Sequence, residues 1–367
     1  MGLEKCGRCT APIYVRAAAV WNEDGTITGR FAGRTRVVQL YADEINHILD
    51  GISQRIGLDI TPIVVEGERK AGIRFTGSIL SRWRGLVGAI VRCRLFSRFV
   101  FSFVARGARN AGLGNCRLAG YRHLRELIVE FEDPFCIPIL AGDILGAFEA
   151  MCGKSAKVSW EGDKHRARIT VRADGGEYRS GADRLEPRLP VTVPGKVCFE
   201  RCPRCRIPLE VTRRYSFDLK RGIATEVESG RRIVTVMIDS LNAVFKELAC
   251  ELGEDLEQMI VDLEAEYSCL NLPKPEGLQG LDAVRLLLGD LTIKGMGNPV
   301  SVTWDDQGSL TVNIDNPFNE EMLAGRVLGC YRLICGEESG ITWTPDVGGR
   351  LTVKVGGVGR KGRDSRH

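Results

Sequence analysis

The feature that most constrains this chain is that it matches itself. Displaced by 196 residues, Cys6-Gly7-Arg8-Cys9 falls on Cys202-Pro203-Arg204-Cys205. Pro12, Val15, Ile27, Arg36, Val38, Asp43, Asn46 and Gly57 also fall on identical residues, giving 11 identities in 52 positions. Displaced by 183, the segment from Gly112 to Trp160 matches Gly295 to Trp343 at 15 of 49 positions, among them Pro134-Phe135 on Pro317-Phe318 and Cys152-Gly153 on Cys335-Gly336. Matches that run in order along such lengths point to duplication of one unit, which must then fold in the same way twice. The drop in displacement from 196 to 183 places 13 extra residues in the first copy, between Gly57 and Gly112. The expected organisation is a first repeat over 1–172 with a basic apolar helical insertion at about 67–111, then a Gly- and Pro-punctuated linker over 173–196. A second repeat over 197–355 and a flexible basic tail over 356–367 complete it.

Each copy reads in one order. After the Cys pair, the alternating run Ile13 to Trp21, a turn at Asn22 to Gly25 and a run from Ile27 predict a hairpin. A helical pattern opens at Asp43 and again at Asp239, where Asp suits an N-cap. Further helices lead to Gly112 and Gly295, each of which begins a strand hairpin that Pro134 or Pro317 ends. The next helix carries Gly142 and Gly146, or Gly325 and Gly329, spaced for close packing against a sheet, and a last hairpin closes the unit. This order predicts an α/β (α+β) fold, two pseudo-symmetric units with antiparallel sheets packed against helices.

With 367 residues, 44% of them hydrophobic and 27% charged, the chain can bury a core and is not of the disordered or fibrous kind. No secretory or myristoylation signal is read at Met1 to Cys6. The most apolar stretch, Gly85 to Ala105, is broken by Arg92, Arg94 and Arg98, which argues against a membrane span. Thirteen cysteines, an odd number in a chain too large to need disulfides, fit a reducing cytoplasm.

The junctions Asp133-Pro134-Phe135 and Asn316-Pro317-Phe318, each followed by a Leu-Ala-Gly-x-x-Leu-Gly helix and flanked by hairpins, carry a resemblance. Residues 112–171 and 295–355 resemble the 4-vinyl reductase domain. That resemblance implies an antiparallel sheet packed against helices, often in a dimer. It also implies a role in binding small hydrophobic molecules in sensor proteins, or an association with bacteriochlorophyll biosynthesis. Zinc-holding members of the family use cysteines in and after the last helix. The final hairpins here, Val158 to Val171 and Ile341 to Val355, contain no Cys, so that site is not carried over.

The two Cys-x-x-Cys pairs suggest a different site. A zinc knuckle supplies two thiolates, and a tetrahedral zinc needs four. If the copies pack about a pseudo-twofold axis, Cys6 and Cys9 meet Cys202 and Cys205 in a structural zinc site. Reduced surface cysteines and two independent redox pairs are the alternatives, although redox pairs favour a helix N-terminus.

From Arg69 to Arg125 there is no Asp or Glu, while 13 residues are basic and aromatic and aliphatic residues are interleaved. Arg84, Arg92, Arg94, Arg98, Phe99 and Phe101 are the expected partner or membrane surface. The partner is a protein, self-packing of the pseudo-dimer, an anionic membrane or, in the same stretch, a lid over a ligand cavity, and a solvated helix with an ordinary core face is the remaining alternative. Nucleic acid is disfavoured because no helix-turn-helix or RNA-binding aromatic motif accompanies the charge.

No histidine recurs between the copies, and neither a Walker A sequence, a strand-linked Gly-x-Gly-x-x-Gly nor a Gly-x-Ser-x-Gly is present. The expected function is therefore a non-catalytic binding or scaffold protein for a small hydrophobic ligand, a partner protein or both. The alternative is a reductase-like enzyme or accessory factor acting on a tetrapyrrole or other large planar substrate.

Overall fold

A computed structural model describes residues 5–30, 35–82, 94–176, 192–253, 255–306, 308–336 and 339–357. The fold is mixed α+β, with antiparallel sheets packed against helices. The first copy supplies β1 (Ala19–Trp21), β2 (Ile27–Gly29), β3 (Arg36–Tyr41), β4 (Asn115–Arg122), β5 (Glu126–Glu132), β6 (Ala156–Gly162) and β7 (Arg166–Ala173). The second supplies β8 (Tyr215–Asp218), β9 (Ile223–Glu226), β10 (Arg232–Met237), β11 (Asn298–Trp304), β12 (Leu310–Asp315), β13 (Ser339–Pro345) and β14 (Arg350–Gly357).

The chain divides into two compact units whose limits do not follow the repeats. The first takes in the described residues within Met1–Trp21, Ile27–Arg188 and Phe199–Glu254; the second those within Asn22–Thr26, Leu189–Cys198 and Asp255–His367. The reason lies in the first unit's larger sheet, of order β1-β2-β3-β10-β9-β8, in which the opening hairpins of both copies are joined through β3 and β10. Pairing two edge strands satisfies backbone groups that each hairpin alone would leave open. In this sheet Tyr41 pairs with Ile233 and Val37 with Met237, so that each pair becomes the other when the copies are exchanged. The Ala42–Ile56 helix packs on β3 and β10, and so does its repeat mate Ile238–Leu252.

The first unit's second sheet has the order β4-β5-β7-β6, and the sheet of the second unit has the matching order β11-β12-β14-β13. On one face of the first lie Leu127, Val129, Phe131, Ile169 and Val171, all buried beneath the Ile137–Cys152 helix. Arg232 ties the two sheets of the first unit together, donating to the carbonyls of Gly112 at 2.6 Å and Asp133 at 2.7 Å.

Three local expectations change. Ile13–Ala18 is a short helix following Pro12, and only Ala19–Trp21 is a strand. Tyr41, not Asp43, is the N-cap residue, and the Glu44 carboxylate accepts from the Tyr41 amide at 3.2 Å. The helix glycines pack against another helix rather than a sheet. A Cβ on Gly146 would lie 2.3 Å from the Arg69 carbonyl of the Thr61–Arg82 helix, and one on Gly325 would lie 2.5 Å from the Val261 carbonyl of the Leu256–Asn271 helix. Two helix backbones approach this closely only where one of them has no side chain. Among the described residues, no helix is long and apolar enough to cross a membrane.

Candidate functional site

Two places in the first unit concentrate chemistry. The first is built by the Cys-x-x-Cys turns. Each turn is closed by an isolated bridge, Lys5 to Pro12 and Arg201 to Pro208, and by matching hydrogen bonds. The Cys6 amide donates to the Ala11 carbonyl at 2.7 Å and the Cys202 amide to the Ile207 carbonyl at 3.0 Å. The residue after each second cysteine, Thr10 at φ 60° and Arg206 at φ 66°, takes the left-handed conformation that bends the chain back over the sulfurs.

The four sulfurs converge. Cys6 Sγ and Cys202 Sγ are 4.0 Å apart, Cys9 Sγ and Cys205 Sγ are 3.4 Å apart, and all four lie within 4.8 Å of one another. A tetrahedral zinc with bonds of about 2.3 Å places its sulfurs about 3.8 Å apart. The cluster could therefore hold a metal ion with small adjustments. The protonation pattern suits that use. Backbone N–H groups of Arg8 and then Cys9 pull the Cys6 thiol down to about 6, and the Cys205 amide lowers Cys202. Burial pushes Cys9 up to about 12 and raises Cys205. Each turn thus presents one sulfur solvated by amides and one that stays protonated until a cation takes the proton's place.

The second place is a pocket of about 40 Å³ between the Arg94–Asn110 helix, β4 and β5, and the Ile137–Cys152 helix. Phe101, Ala105, Ala108, Leu118, Val129 and Asp143 are among the residues that line it. A larger hollow of about 500 Å³ faces Arg117, Glu130, Glu132, Arg166 and Arg168 on the same sheet. It is open, and its arginines pair with its own glutamates, Arg117 and Arg168 with Glu130 and Arg166 with Glu132. Exposed ion pairs of this kind contribute little, so the smaller, apolar pocket is the better candidate.

Of the residues assigned to a partner surface, Arg84 and Arg92 lie outside the described residues. Arg94, Arg98 and Phe99 fall on the Arg94–Asn110 helix, at positions whose side chains lie outside the description. Phe101 requires a correction, because it is buried at 5% exposure with its ring 5.2 Å from that of Tyr121. It faces the sheet of its own unit, as does Ala105 one turn on, because residues four apart share one face of a helix. Sequence reasoning missed Asp143 and, behind it, the buried Glu68. A signal for Asp143 was present: within the matched Leu-Ala-Gly-x-x-Leu-Gly helices, Asp143 stands where the second copy has Arg326.

No family model matches the chain, and no curated protein matches it. Solved H-NOX structures show a partial likeness. One, concerned with the mechanism of H-NOX activation, is 13% identical over 38% of this chain and 80% of its own, with a TM-score of 0.27. A mutant of T. tengcongensis H-NOX is 15% identical over 33% of this chain and 74% of its own, with a TM-score of 0.24. A Cs H-NOX carrying 4-cyano-L-phenylalanine is 14% identical over 33% and 73%, with a TM-score of 0.22. At scores this low the likeness carries no argument about function.

Proposed function

We propose that this chain is a non-catalytic binding or scaffold protein, a duplicated 4-vinyl reductase-like unit whose first copy takes a small hydrophobic ligand. In this reading a structural zinc held by Cys6, Cys9, Cys202 and Cys205 fastens the two opening hairpins of the shared sheet.

The observation that carries the reading is a difference between the copies at one place in the fold. Carried back by 183 residues, Val284, Leu287, Leu288 and Leu291 of the second copy match Phe101, Val104, Ala105 and Ala108 of the first. All four second-copy residues are buried, at 3% exposure or less. In the first copy two of those leucines are alanines, and a pocket lies there. An apolar hollow costs stability, roughly 24 cal/mol per Å³, and its retention in one copy of a duplicated unit supports a use for it. The same volume argues against the tetrapyrrole alternative, because a large planar macrocycle does not fit in about 40 Å³. The stretch without acids from Arg69 to Arg125 supports a partner protein at the exposed side of the same helix.

Xenon tests the pocket without presuming a ligand. In methyl-resolved NMR of the full chain under xenon, the methyl groups of Leu118, Val129 and Ile144 are expected to shift saturably. Ala108→Leu, which imitates the second copy, is expected to abolish the shifts. Unmoved methyls in the wild-type chain would remove the ligand-binding reading.

A further inference from the structure

Two carboxyl groups, Asp143 lining the pocket of the first copy and Glu68 behind it, have no role in anything above. Glu68, on the Thr61–Arg82 helix, is 3% exposed. Its Oε1 accepts from Ser240 Oγ at 2.8 Å, and its Oε2 has no hydrogen-bond partner among the described residues. Asp143 lines the pocket one residue beyond Gly142, and a Cβ on Gly142 would lie 2.6 Å from Glu68 Cβ. Neither acid has an ion-pair partner among the described residues. Burial, with the Asp143 charge second, pushes Glu68 up to about 8, and burial pushes Asp143 up to about 6. At neutral pH the pair therefore carries about one negative charge, set among apolar side chains and without an ion-pair partner among the described residues.

The second copy shows what compensates such a group. Glu264 matches Glu68 and Arg326 matches Asp143. The helices are packed in the same way, since a Cβ on Gly325 would lie 2.7 Å from Glu264 Cβ. There the Arg326 guanidinium stands 3.7 Å from Glu264 Oε1 and 3.8 Å from Asp290 Oδ2, and Lys294 Nζ is 2.6 Å from the same Asp290 oxygen. Second-copy Asp290 and Lys294 correspond to Gly107 and Ala111 of the first. One buried site thus carries its own organic cation, while the matching site has two acids, smaller neighbours and a hollow.

We propose that the first-copy pocket binds a small organic cation, an alkylammonium or alkylguanidinium with a short apolar body. Its head is held by Asp143, backed by Glu68, and its body lies against Leu118, Val129 and Ile144. This rests on the pocket being a ligand site and adds the charge of the ligand. The head group takes the place that the Arg326 guanidinium fills in the second copy. Charge-assisted hydrogen bonds to it, formed away from water, are stronger than those a neutral alcohol could make. The volume restricts the part that enters to a few heavy atoms. An anion of the same size would face the carboxylate charge and is excluded.

Ethylammonium chloride and ethanol, nearly equal in size, separate the possibilities when each is titrated into the full chain at fixed ionic strength and followed by methyl NMR. Ethylammonium is expected to shift the Leu118, Val129 and Ile144 methyls at about tenfold lower concentration than ethanol. Asp143→Asn is expected to erase that preference, and Asp143→Ser serves as the second variant should the first not fold. Equal responses to the two probes would overturn the cation proposal and leave the ligand pocket standing. Retention of the preference in either folded variant would also overturn it. No response to ethylammonium, ethanol or xenon would overturn both readings together.

Discussion

Gln39 and Thr235 face each other at the middle of the β3–β10 pairing, and each is the repeat mate of the other. A local twofold axis therefore passes between them, and the Cys6–Cys202 and Cys9–Cys205 contacts obey the same exchange. A fragment ending at residue 176 keeps β3 and one Cys pair but loses their partners. It is expected to restore both by forming a homodimer through β3, with one zinc for two chains. Sedimentation and metal analysis of the fragment check this, and a folded, metal-free monomer would contradict it.

Metal content is the direct test of the cysteine cluster. Protein purified without added metal is expected to hold one zinc per chain, and the Cys6→Ser, Cys202→Ser double variant none. Loss of the metal is expected to destabilise the first unit by more than about 3 kcal/mol, read as a lowered midpoint of thermal or urea unfolding. Iron in place of zinc would redirect attention to electron transfer, and four freely reactive thiols in the wild-type chain would remove the site altogether.

The helix glycines make a local claim about packing. Gly146→Ala places a methyl group 2.3 Å from the Arg69 carbonyl and is expected to cost on the order of 2–3 kcal/mol. Gly77→Ala, on the Thr61–Arg82 helix where a Cβ would meet nothing within 4 Å, is expected to stabilise by about 0.5–1 kcal/mol. Chemical unfolding of the two variants should give opposite signs, and equal effects would contradict the packing described.

Glu68, buried, and Asp143, half-buried, set a pH dependence whose direction follows from their raised values. Glu68 and Asp143 hold protons more tightly in the folded chain than in the unfolded one, whose carboxyls titrate near 4. Stability therefore falls as pH rises from about 4 through the Asp143 value near 6 and the Glu68 value near 8. Glu68→Gln, which retains an acceptor for Ser240, is expected to flatten that descent. The variant should be more stable than the wild type at pH 8 by on the order of 2 kcal/mol. Unfolding midpoints between pH 5 and pH 9, measured in amine-free buffer, would test this, and parallel curves for the two proteins would refute it.

The repeat made much of this legible in the sequence. Two copies of Cys-x-x-Cys at one displacement suggested a shared cluster because a twofold arrangement places matched residues opposite each other. The hairpin, helix and hairpin after Gly112 and Gly295 followed from periodicity and from the Pro and Gly that bound them. Ile13 to Ala18 misled because six residues are too few to separate a helical turn from an alternating strand, and Pro12 favours the turn. Asp43 resembles a cap in sequence, yet in the structure it meets the Arg231 guanidinium at 3.0 Å, a contact between residues 188 apart. Phe101 was assigned outward because charge density was taken as exposure, whereas Phe101 and Ala105 are buried on the helix that also carries the exposed Arg106. The Glu68–Asp143 pair joins residues from two different helices, and no single-segment pattern reveals that.

Ser240, which holds Glu68, and β10, which completes the sheet begun by β3, both belong to the second copy. During synthesis the first unit must therefore wait for chain that lies well beyond the end of β7. Between residue 176 and the end of the Ile238–Leu252 helix, a ribosome working at about 5–20 residues per second takes roughly 4–15 s. For that interval β3 is an open edge beside half of a cysteine cluster, able to pair with the same strand on a neighbouring nascent chain. Duplication within one polypeptide shortens the search for a partner strand, and it leaves the order of translation to decide which partner arrives first.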